Sequence, residues 1–282
     1  MKQAQRVFRP GLIAAIGACY LTSALILGTR IGPWEAVREA VVGGFLALGW
    51  ILLLQWILRQ QPVPELPLVR WPRLELTLLL LALSGMIALA AIRYQGQYML
   101  PSWTYHLLGY GTILAIVITG GYGCRALGLT RPPRRAWLGV AAVIGLNIFS
   151  TLIYAHLPPG EAPDLPAADL AQQLSTPFSV LLLLLGLLVR AAFPEELVLR
   201  VGIQPRLARF MPIGWAIALQ AVLFNTAHFP QQFIGYQQPL VVSIGYLLTI
   251  ENGLMAGYLW YRTRSLPVLL LVHLFAFPRF GS

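Results

Sequence analysis

Long apolar runs recur down the chain at 11–29, 36–58, 74–92, 103–122, 136–155, 177–193, 212–229 and 240–261, with a shorter one at 266–277. Short connectors carrying Pro, Arg or acidic residues separate them. A bilayer core needs about 20 apolar residues per helical crossing, and helices satisfy their own backbone polar groups in lipid. The pattern therefore predicts an all-α, polytopic integral membrane protein of about eight or nine transmembrane helices. The run at 266–277 is the shortest and fits either a crossing or a re-entrant helix.

Composition agrees: 57% hydrophobic residues, 11% charged and a mean hydropathy of +0.70 lie outside the range of soluble globular domains. The formal charge of +10 comes almost wholly from arginine, and in a soluble protein it would suggest nucleic acid. In a membrane protein it records orientation, so no nucleic-acid partner is expected. Sixteen of the twenty basic residues fall on one side of a nine-crossing arrangement, among them Lys2, Arg9, Arg59, Arg131, Arg135, Arg209 and Arg262. The other side holds Arg30, Arg38, Arg93 and Arg279 and the acidic loop with Glu161, Asp164 and Asp169. The asymmetry implies a plasma (inner) membrane protein with a cytoplasmic N-terminus. The first run is too long for a signal peptide and is read as a membrane helix. Cys19 and Cys124 show no CxxC spacing and are expected to pack as small hydrophobes.

Seven of the ten carboxylates lie in loops or at segment ends, which leaves Glu195, Glu196 and Glu251 in or beside apolar sequence. An ionisable group there is a functional hypothesis by default. His228 and His273 also fall inside apolar runs of the C-terminal third. On a continuous helix Glu196 and Arg200 are i and i+4, close enough for a buried ion pair, while Glu195 points about 100° away and stays free for chemistry. Pro194 cannot donate to the Arg190 carbonyl and is expected to kink or restart the helix. Bland readings stand beside these. Pro194, Glu195 and Glu196 suit the first turn of an interfacial helix, and a histidine on an apolar helix is often a packing group. Glu251 suits an ion pair with an arginine, or a proton relay with the histidines in a transporter.

Taken in order, Glu195-Glu196-Leu-Val-Leu-Arg200, Phe224-Asn-Thr-Ala-His228 and His273 resemble the EExxxR, FxxxH and final HxxxN-like motifs of the CPBP family (CAAX protease and bacteriocin-processing) of intramembrane proteases. The resemblance covers about residues 177–277. It implies accessory helices over 1–176 and a four-helix, CPBP-like core over 177–282. It also implies peptide hydrolysis in the membrane, with Glu195 as general base on a water held by His228 and with His273 orienting the water or polarising the scissile carbonyl. Glu196, Arg200 and Phe224 would support that site. The substrate would be a membrane-anchored peptide or protein within the lipid bilayer. No cofactor is expected, and a zinc on Glu195, His228 and His273 is the less favoured variant. Phe277 stands where the family usually has a polar residue that helps hold the carbonyl oxygen, leaving Asn225 or Asn252 as substitutes. The alternative is a catalytically silent relative acting as immunity factor, scaffold or chaperone of membrane proteins.

Overall fold

The computed structural model describes residues 7–37, 42–96, 104–156 and 177–276. Among these residues every regular element is helical. The helices are α1 (Pro10–Arg30), α2 (Gly43–Leu58), α3 (Pro72–Tyr94), α4 (Thr104–Gly120), α5 (Arg134–His156) and a composite helix α6. Helix α6 joins Pro177–Leu187, a π stretch Leu188–Ala192, Phe193–Glu195, a second π stretch Glu196–Ile203 and Gln204–Leu207. Then follow α7 (Ile213–Pro230), α8 (Leu240–Leu247), α9 (Glu251–Thr263) and α10 (Leu266–Ala276).

Helix ends follow local chemistry. Proline opens both α1 and α3, where its missing N–H costs nothing. Helix α9 stops at Arg264, whose φ of 48° is left-handed and whose N–H returns to the Trp260 carbonyl. Pro10–Arg30, Pro72–Tyr94 and the stretch Leu240–Thr263 are long and apolar enough to cross a membrane. Leu21, Phe45, Leu52, Leu81, Ile118 and Phe178 are exposed on the outer surface, an apolar coat that suits lipid rather than water.

Three expectations change. The run 240–261 is not one helix: Leu248–Ile250 unwinds between α8 and α9. There the Asn225 side chain donates to the carbonyls of Leu247 at 3.2 Å and Thr249 at 2.7 Å, replacing the helical bonds those carbonyls lack. Nor does Pro194 restart its helix, because α6 passes through it with helical dihedrals on both sides. In a π turn the residue at 194 would donate to the carbonyl five positions earlier, Val189. Proline cannot, and the Tyr110 hydroxyl donates to that carbonyl instead at 2.7 Å. Cys124 is exposed rather than packed.

Helix α6 runs through the middle of the bundle. Every residue of its Glu196–Ile203 stretch is buried, with α3, α4, α7, α9 and α10 around it. Helices α7 and α9 approach closely through Gly253 and Gly257, spaced as a GxxxG pair. A β-carbon at Gly253 would sit 2.6 Å from the Ala221 Cα.

The arginine-bearing connectors meet at one end of the bundle. Arg209 donates to the Pro67 carbonyl at 2.8 Å, Gln61 donates to the Arg262 carbonyl at 3.0 Å, and the Leu266 N–H donates to the Gly128 carbonyl at 2.9 Å. The Arg206 guanidinium reaches Glu75 at 2.6 Å, and Glu75 also accepts from Tyr122 at 2.6 Å. Burial, and then its bond to Glu75, raise the Tyr122 hydroxyl above its ordinary pKa. Burial lowers the Arg264 guanidinium to about 10, partly offset by Tyr261 beside it.

Candidate active site

Three helices bring Glu195, His228 and His273 to one point. Glu195 sits on α6 between the two π stretches, His228 two residues before the end of α7, and His273 on α10. The His273 Nε2 is 3.7 Å from one Glu195 carboxylate oxygen, and the His228 Nε2 is 4.0 Å from the other. These separations are too long for direct hydrogen bonds and short enough for one water lying beside the pair to reach both groups.

The second nitrogen of each imidazole is held in place. His228 Nδ1 lies 3.0 Å from the Phe224 carbonyl, one turn back on α7. A carbonyl only accepts, so Nδ1 carries a proton, and Nε2 is the nitrogen turned toward Glu195. His273 Nδ1 lies 2.8 Å from Glu196 Oε1, which assigns the same tautomer. The Nε2 atoms of both rings thus face the Glu195 carboxylate.

Glu196 and Arg200 form the expected pair, both fully buried, with Arg200 Nη1 3.3 Å from Glu196 Oε1. The contact lacks hydrogen-bond angles, and the guanidinium is held from its other side by the Phe224 ring, 4.4 Å away. The Phe224 ring also lies 4.8 Å from the His228 ring and 6.4 Å from the His273 ring. Phe224 is therefore the apolar spacer against which both histidines and the arginine are set. The His228 side chain is 41% exposed, Glu195 20% and His273 11%, so the cluster opens along the His228 edge.

Both amide hydrogens of Asn225 go to the α8–α9 break rather than toward Glu195. Asn252 is half-buried on the first turn of α9, without a hydrogen bond or ion pair to the cluster among the described residues. Glu251 is also elsewhere: Tyr20 of α1 donates to it at 2.8 Å. Phe277 lies outside the described residues. Among those residues no group of three or more His, Cys, Asp or Glu side chains is arranged to hold a metal ion. Sequence reasoning missed Tyr110, which lies 79 positions from the carbonyl it caps, and the bond between Glu196 and His273, 77 positions apart. No local signal marks either.

The fold and the cluster define an all-helical, apolar-surfaced protein with a partly buried Glu-Glu-Arg-His-His site. Residues 177–276 match the family model described as Type II CAAX prenyl endopeptidase Rce1-like, a protease family. The match covers the helices that carry the cluster, α6 to α10, and bears out the CPBP resemblance there. No curated protein and no solved structure was found to match the chain.

Proposed function

We propose that this protein is an intramembrane endopeptidase that cleaves a membrane-anchored peptide or protein by glutamate-activated water. The observation that carries the reading is the convergence of Glu195, His228 and His273, with both histidine Nε2 atoms facing the Glu195 carboxylate at 3.7 and 4.0 Å. Glu195 takes a proton from a water that it shares with His228 Nε2. The water oxygen adds to the scissile carbonyl carbon. The C–N bond then breaks, and the proton on Glu195 passes to the leaving nitrogen. Glu196 holds His273 in the ring orientation the step needs, and Arg200 offsets the Glu196 charge. The site works without a metal in this reading. The description of the matched family makes a prenylated C-terminal peptide one substrate class.

The test uses purified protein in lipid with a panel of membrane-anchored peptides, prenylated C-termini and leader segments included, with and without chelator. Glu195→Ala and His228→Ala are each expected to abolish cleavage, and chelator to leave it unchanged. Cleavage that survives Glu195→Ala sinks the proposal. Phe277 in the final motif favours a second reading, a silent scaffold or immunity protein. On that reading the wild type cleaves nothing, and Phe277→Asn restores measurable hydrolysis by returning one donor, an effect of at most about 10²–10³ in rate.

The same proposal includes about nine crossings in the plasma membrane, an accessory 1–176 part, a cytoplasmic N-terminus and an extracytoplasmic 156–176 loop. Cysteine labelling of Asp164→Cys from each side of sealed vesicles checks it. Labelling from the cytoplasmic side overturns the arrangement.

A further inference from the structure

A groove of about 530 Å³ runs between α1 and α2, and none of Glu195, His228 and His273 lines it. Gly17, Tyr20 and Gly44 line one end, and Arg59 and Arg262 the other. Gly44 and Arg59 are fifteen positions apart, almost wholly on α2, so the groove is about 22 Å long at 1.5 Å per residue. It is open at its far end: a β-carbon added at Gly17 would meet nothing within 4 Å. Among the described residues no acidic side chain lines it.

The arginine end is built rather than incidental. Arg262 is more than nine-tenths buried. One of its terminal nitrogens donates to the carbonyls of Leu58 and Gln61, which fixes the guanidinium at the groove. Arg59 is exposed beside it in the groove lining, 5.7 Å over the Trp56 ring. The exposed Ile13, Leu48 and Leu52 lead from this end along an apolar wall.

A long apolar slot closed by two cations at one end matches an anionic amphiphile in both shape and charge. A free anion would use only the arginines, and a zwitterionic lipid gains less from them. We propose that the groove holds one acyl chain of an anionic phospholipid, with its phosphate between Arg59 and Arg262. Arginine pockets between membrane helices recognise such headgroups at the basic side of a membrane protein. The bound lipid fills the space between α1 and α2 and secures α1, whose Tyr20 is also the hydrogen-bond partner of Glu251.

The test uses the full chain, delipidated in neutral detergent, with phosphatidylglycerol, phosphatidylcholine or inorganic phosphate added. Bound lipid is read by native mass spectrometry and the unfolding midpoint by thermal melting. Phosphatidylglycerol is expected to bind more tightly than phosphatidylcholine and to raise the midpoint, and inorganic phosphate to leave it unchanged. Gly17→Trp fills the groove and is expected to lose the lipid with both arginines intact. Arg59→Gln changes only an exposed side chain and is expected to weaken phosphatidylglycerol binding about fivefold. Equal affinity for the two lipids overturns the proposal. So does an undiminished affinity in Arg59→Gln, or stabilisation by phosphate that equals that by phosphatidylglycerol.

Discussion

Glu196 accepts a hydrogen bond from His273 Nδ1 at 2.8 Å while facing Arg200 at 3.3 Å, so one fully buried carboxylate serves two partners. Removing its charge leaves the guanidinium buried and uncompensated, which typically costs ~3–5 kcal/mol. Glu196→Gln and Arg200→Ala are therefore expected to lower the unfolding midpoint in detergent sharply. Glu195→Gln is expected to leave it near wild type, because Glu195 is partly exposed and makes no contact shorter than 3.7 Å to the histidines. Equal midpoints for Glu195→Gln and Arg200→Ala would contradict this division between chemistry and support.

Tyr110 is expected to matter for the geometry around Glu195, which it does not touch. Its hydroxyl caps the Val189 carbonyl left open by Pro194, so Tyr110→Phe should cost about 1 kcal/mol. A double-mutant cycle checks the cause. In a Pro194→Ala background the residue at 194 again has an N–H for Val189, and the cost of Tyr110→Phe is expected to shrink. An unchanged cost would mean that the hydroxyl acts elsewhere.

Asn225, expected from the sequence as a donor to the carbonyl oxygen, has a structural role instead. As a clasp for the unwound Leu248–Ile250 turn, it donates to two carbonyls at 3.2 and 2.7 Å. Asn225→Ala is then expected to lower stability by roughly 1 kcal/mol, the cost of leaving partly buried carbonyls unpaired. Asn225→Asp is expected to lower it more, since a carboxylate offers those carbonyls only repulsion. An oxyanion donor would behave otherwise, with stability kept and turnover lost in both variants.

Much of this was legible in the sequence because apolar length reports directly on helices in lipid. The runs around 11–29, 74–92, 136–155 and 212–229 became α1, α3, α5 and α7 nearly as drawn. The Glu196–Arg200 pair follows from helical spacing alone, and the motif order placed Glu195, His228 and His273 together. The α8–α9 break was not legible, because Leu248–Ile250 contains neither Gly nor Pro and is held open by Asn225 of another helix. Pro194 misled for the opposite reason. Its local penalty is real, yet the π turn moved the orphaned carbonyl to Val189, within reach of Tyr110 on α4. Tertiary partners decided both cases.

The closeness of α7 to α9 sets where His228 stands relative to Glu195 on α6. At Gly253 a β-carbon would lie 2.6 Å from the Ala221 Cα, and backbone atoms cannot yield as a flexible side chain can. Gly253→Val is therefore expected to force the helices apart, at about 1–3 kcal/mol for overpacking. At Gly49 on α2 a β-carbon would meet nothing within 4 Å, so Gly49→Ala is expected to be neutral or slightly stabilising through helix propensity. Displacement of α7 also widens the 4.0 Å gap between His228 and Glu195, so cleavage is expected to fall in Gly253→Val even where the protein remains folded. Midpoint and turnover measured together on both variants decide the point. If Gly253→Val melts like Gly49→Ala and cleaves like wild type, the contact between α7 and α9 does not position the site.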